Sequence, residues 1–235
     1  MDTFWFIDDF GTIREAADST PPAGFKPVEY GSKPEQLKRQ SPAVHPSAIL
    51  SGGDIRRLCQ GDKPMISPFS EKQRWHGISG GLDYHGYCIT LGNQWAVMTA
   101  PKIDTANIAA SDKHIRLITK DTFTLAPNAS VLAVSAERFI MPRNVMALSF
   151  GKSTLARIHV VTTITPIEAG WEGHLTIEIS NKNKVSEVDL HAGLPITQLV
   201  FFWVQEGSGY DGIYQNQQQV PTPALAIGLA QIAHN

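Results

Sequence analysis

SVLAVSAERF (Ser130–Phe139) and VMALSF (Val145–Phe150) are two short runs of β-branched and apolar residues, parted only by IMPRN. Runs of this length and composition, bounded by turn residues, read as β-strands. The same grammar recurs outward in both directions. YCITLG, QWAVMTA, HIRLITK and TFTLAP come before them, and RIHVVTTITPI, HLTIEIS, EVDLHAG and TQLVFFWV come after. Short strands in succession, with no long helical pattern between them, predict a mainly β chain folded as a sandwich or barrel. No repeat of about 20 to 50 residues is present, which disfavours a propeller or solenoid.

The flanks differ in character. Residues 1–45 include STPPAGFKPVEYGSKPEQLKRQSPAVHP, where proline and polar residues break every periodic pattern, so this stretch reads as an extension that wraps or links. A domain is expected over 46–206, opening with SGGDIRRL, where Ser51 and Asp54 are cap candidates and Ile55 and Leu58 are spaced for a short amphipathic helix. From 207 to 235 the composition turns to Gly, Gln, Asn and Pro and then to an Ala-rich close, which reads as a mobile arm.

The chain has 235 residues, 42% of them hydrophobic, enough for a sizeable core, and a formal net charge of -2. That balance offers no basic field for a nucleic-acid polymer. Two cysteines, Cys59 and Cys88, make no disulfide framework, and the longest apolar run, Leu199–Val204, is far shorter than the roughly 20 residues of a membrane span. The N-terminus carries Asp2, Asp8 and Asp9 and no basic flank, unlike a secretory signal. A cytoplasmic protein with no membrane partner is expected.

Three local features bear on chemistry. GKST (Gly151–Thr154) ends like a phosphate-binding P-loop, but the first glycine of that motif would fall at Met146, and the residues between read as strand. Lys152, Ser153 and Arg157 nevertheless form a polar island that is either an exposed turn or an anion site, because an ammonium, a hydroxyl and a forked guanidinium together suit phosphate or a polarised water. In HLTIEIS, period two sends Leu175, Ile177 and Ile179 to one face and His174, Thr176, Glu178 and Ser180 to the other. Glu178 is therefore either a solvated surface residue or a carboxylate in a polar cavity, placed for proton transfer. The eight histidines and two cysteines show no zinc-ligand spacing.

FTLAPNASVLAVSAERFIMPRNVMALSFGKSTLARI, then TPIEAGWEGHLTIEISN, then YQNQQ, in this order, closely resemble the zinc-independent dCTP deaminases of the dUTPase-like superfamily. The similarity runs from ILSGGDI near residue 49 to about Pro223. It implies a distorted, jelly-roll-like β-barrel with short helices, a homotrimer with active sites between subunits, and an arm that closes over a small deoxynucleotide. By this resemblance Glu178 is the general base and acid, and Ser153 and Arg157 hold the attacking water and balance charge. Lys152 and Thr154 match phosphate-contact positions, Trp171 lies near the deoxyribose, and Tyr214 and Gln217 fold over the nucleotide. Magnesium is implied only through the nucleotide phosphates, with no zinc and no protein-held metal.

The activity implied is deamination of dCTP to dUTP and ammonia. Superfamily members that hydrolyse dUTP carry Ile-Asp before their aromatic-x-Gly turn, where this chain has Ile167 and the longer Glu168, so little dUMP is expected. Two alternatives remain open at this point: a dUTP pyrophosphatase, alone or combined with deamination, and a catalytically weak nucleotide-binding regulator. The chain departs from the family where Gly-Tyr-Asp-x-Arg becomes Gly86-Tyr87-Cys88-Ile89-Thr90, where His159 replaces a glycine, and where Ile213 replaces the lysine before the arm's tyrosine. Joint loss of Asp and Arg from one strand face reads either as a compensated structural change or as a lost ligand contact.

Overall fold

The computed structural model describes residues 48–106, 108, 114–205, 207 and 209–225, together with three short strands nearer the N-terminus. The chain divides into two compact units, Met1–Ala48 and Ile49–Asn235. In the first, β1 (Phe4–Asp8), β2 (Ile13–Ala16) and β3 (Phe25–Pro27) pair antiparallel in the order β2-β1-β3. The sequence reading, which saw only an extension here, did not resolve these strands.

The second unit opens with α1 (Gly52–Leu58). Its start follows the expected capping box: Ser51 Oγ accepts from Asp54 N, and the Asp54 carboxylate accepts from Ser51 N. Ile55, on the inner face of this helix, is fully buried. The strands that follow are β4 (Ile66–Ser67), β5 (Gln73–Trp75), β6 (Ile78–Asp83), β7 (Gly86–Met98), β8 (Ile115–Thr119), β9 (Thr122–Leu125), β10 (Ser130–Ile140) and β11 (Val145–Gly151). After α2 (Ser153–Arg157) come β12 (Val160–Thr163), β13 (Glu172–Asn181), β14 (Val188–His191) and β15 (Pro195–Trp203).

The main sheet runs β11-β15-β7-β10-β13-β12, and its two ends meet. Ala147 on β11 and Ile167, just after β12, exchange both backbone hydrogen bonds at 2.9 Å, which closes the curled sheet into a distorted barrel. Alternation on the strands fills its interior with Tyr87, Trp95, Phe139, Ile177 and Phe201, all completely buried. Among the described residues, no helix is long and apolar enough to cross a membrane.

Strand β7 departs from the sequence expectation in an informative way. Gly92-Asn93 reads as a turn between YCITLG and QWAVMTA, but the strand runs through it. Its first half pairs with β6 and β15, its second with β8, and β10 pairs across the bend. A Cβ on Gly92 would lie 3.1 Å from Val134 Cγ1, so the glycine lets the bent strand press against β10.

Cys88 and Thr90, where the chain departs from the resembled pattern, touch different charged groups. Lys152 Nζ lies 3.2 Å from Cys88 Sγ, whereas Thr90 N and Oγ1 donate to the Glu137 carboxylate at 2.9 to 3.2 Å. Glu137 is 3% exposed, and burial pushes its carboxyl up to about 7, against the opposing pull of the Thr90 donors. With the folded value above the unfolded one, stability is fullest at acidic pH and is lost as pH rises from about 4.5 through about 7. That shift corresponds to about 3 kcal/mol. Thermal melts of Glu137→Gln are therefore expected to lack the downward slope of Tm that the wild type shows between pH 5 and pH 8; parallel slopes would contradict this assignment.

Candidate active site

Strand β13 carries the chemistry. Its core face places Leu175, Ile177 and Ile179 in the interior, and its opposite face presents Thr176, Glu178 and Ser180. Glu178 lies between two neighbouring strands, opposite Leu132 on β10 and Thr163 on β12. The observed setting matches neither expectation fully, because Glu178 lines a cavity whose wall is mostly apolar, with Leu132, Ile164, Ile167 and Leu175 in it. Glu178 is half-buried and lines a cavity of about 560 Å³, a volume within the range of small-molecule sites.

Four other expected residues meet there: Glu168, Trp171, Tyr214 and Gln217. Trp171 is 6% exposed, with its ring in the cavity wall and its Nε1 donating to Tyr214 O at 2.7 Å, so it also fastens the arm. Beyond it the arm runs beside β13. His174 N donates to Gln217 O, Asn216 N donates to Glu172 O, and Gly173 and Gln217 form a parallel bridge. Gly173 permits this approach, since a Cβ there would fall 2.6 Å from Gln217 N at a φ of +140°. Thr176 Oγ1 donates to Gln217 Oε1 at 3.2 Å and accepts from Thr222 N at 3.0 Å, and Leu225 N donates to Tyr214 OH. The described part of the arm, expected to be mobile, is thus laced to its own barrel beside the cavity. The Ala-rich close at 226–235 lies outside the described residues.

The remaining expected residues lie elsewhere. Ser153, Thr154 and Arg157 are exposed on α2, and none of them lines the cavity. Lys152, immediately before that helix, is buried, with Nζ against Ser79 Oγ at 3.3 Å and Cys88 Sγ at 3.2 Å. Ile213 lines a separate groove beside Leu117 and Val220. His159 has a φ of +59°, the left-handed conformation in which a helix commonly ends on glycine.

The charged residues that line the cavity are Glu168 and Glu178, and among the described residues no lysine, arginine or histidine lines it. Among the described residues, no group of three or more His, Cys, Asp or Glu is placed to hold a metal ion. Sequence reasoning missed Thr163, Tyr210 and Thr222 in the cavity wall. Thr163 was within reach, because pairing of TTIT with LTIEIS sets it beside Glu178. Tyr210 and Thr222 lie in an aperiodic tail and carry no such signal.

Comparison with known proteins gives a consistent picture. A profile described as dCTP deaminase-like matches residues 49–204. The chain is similar to the dCTP deaminase of Acidobacterium capsulatum, 36% identical over 172 residues, covering 69% of this chain and 92% of the relative. It is also 36% identical over 168 residues to that of Nautilia profundicola, covering 68% and 90%. Among solved structures, the 2′-deoxycytidine 5′-triphosphate deaminase from Agrobacterium tumefaciens shares the fold, with a TM-score of 0.52 and 19% identity over 66% of this chain and 48% of that longer one.

Proposed function

The chain belongs to the dCTP deaminase-like family, and on that premise we propose that its active site is assembled from two subunits of a homotrimer, one giving Glu178 and the other giving Ser153 and Arg157. The enzyme is a hydrolytic deaminase, converting dCTP and water to dUTP and ammonia. Glu178 takes a proton from water as the oxygen adds to cytosine C4 and delivers it to the amino nitrogen, and ammonia departs while the remaining hydroxyl proton ends on N3, leaving the C4 carbonyl of uracil. Ser153 and Arg157 of the adjoining subunit orient that water and offset the charge that develops. Lys152 and Thr154 serve the phosphates, Trp171 packs at the deoxyribose, and Tyr214 and Gln217 of the arm cover the nucleotide. Magnesium arrives with the phosphates as the substrate's own counter-ion.

One observation carries this reading. Among the described residues, no cation lines the cavity holding Glu178, Trp171, Tyr214 and Gln217, while an exposed helix of the same chain bears Ser153, Thr154 and Arg157 outside it. A polyanionic substrate needs positive charge, so the cavity and the exposed helix are complementary halves.

The test is a product analysis. After exhaustive zinc chelation and restoration of magnesium, dCTP should yield ammonia and dUTP at equal rates, with dUMP below about a tenth of the ammonia, because the longer Glu168 misplaces its carboxylate for phosphate hydrolysis. Activity that only zinc restores, or dUMP keeping pace with ammonia, would overturn this account.

A further inference from the structure

We propose that Ser180, backed by Ser130, is a positioning residue that commits one oxygen of the Glu178 carboxylate and leaves the other as the base; this rests on the catalytic role given to Glu178 above. Ser180 is two residues beyond Glu178 on the same face of β13 and directly opposite Ser130 on β10. Its Oγ donates to Glu178 Oε1 at 2.5 Å and lies 2.6 Å from Ser130 Oγ. A serine hydroxyl has one hydrogen, and that of Ser180 is used on the carboxylate. The bond between the serines must therefore run from Ser130 to Ser180. The result is a directed chain, Ser130 to Ser180 to Glu178, from an exposed hydroxyl through one that is 5% exposed.

Direction has a chemical consequence. Oε1 is held as an acceptor throughout, so the proton taken from water resides on Oε2 and leaves from there to the amino nitrogen, with the serine hydroxyls unchanged. The cross-strand neighbour of Glu178 on β10 is Leu132, which has no hydrogen-bonding group to fix the carboxylate. Without Ser180, rotation of the long glutamate side chain spreads the base over several orientations, and misplacement of a catalytic group by about 1 Å costs up to about 100-fold in rate.

The experiment measures kcat and KM for dCTP with Ser180→Ala, Ser180→Thr and Ser130→Ala, with Glu178→Gln as reference. Ser180→Ala should lower kcat about tenfold with KM within about threefold, Ser180→Thr should restore most of the loss because it returns the hydroxyl, and Ser130→Ala should fall between. A merely structural hydroxyl would lower Tm and leave kcat of the folded fraction unchanged. If Glu178→Gln is inactive while Ser180→Ala keeps kcat within twofold, or if Ser180→Thr is no better than Ser180→Ala, the positioning role is wrong and the catalytic reading stands. If Glu178→Gln retains activity within tenfold, both fall together.

Discussion

Replacing Glu178 with glutamine is expected to lower kcat for dCTP deamination by about 10³-fold while leaving nucleotide affinity within a few-fold of wild type. The amide preserves the shape of the side chain and can still accept from Ser180, so the cavity should persist. It cannot take a proton from water or carry one to the departing nitrogen. Binding of dCTP by calorimetry, beside stopped assays for ammonia, separates the two effects. Turnover within tenfold of wild type would remove Glu178 from the mechanism.

The second large effect is a gain. Arg157→Ala and Glu178→Gln should each be nearly inactive alone, yet a refolded equimolar mixture should regain activity. Where each site joins one subunit's glutamate to another's arginine, random mixing in a closed trimer pairs an intact Glu178 with an intact Arg157 at about a quarter of the sites. The mixture is then expected to show about 25% of wild-type activity, against background for either variant alone. No recovery, with mixed trimers verified by mass spectrometry, would place both residues in one subunit's site.

Much of the fold was legible because its strands alternate cleanly. In HLTIEIS the core and cavity faces follow from period two alone, and the observed burial of Leu175, Ile177 and Ile179 matches that pattern. The α1 cap was equally plain, since Ser51 and Asp54 satisfy each other locally. What eluded the sequence was non-local. Gly92 looked like a turn because the contact that explains it, with Val134, comes from a distant strand. Cys88 and Thr90 share a strand face, and nothing local shows that their partners, Lys152 and Glu137, approach from different parts of the barrel. Within the site, the resemblance named residues but not their grouping. The division between the cavity of Glu178 and the helix of Arg157 required coordinates.

That division has a consequence for the life of the polypeptide. On the roles proposed above, a newly made chain folds Glu178, Trp171 and its arm around one cavity, but carries Arg157 on an exposed helix outside it. On that reading an unassembled subunit is catalytically silent, since it lacks the arginine that completes its site. Chemical competence is then a property acquired at assembly, and no separate inhibitor is needed to keep solitary chains from generating dUTP.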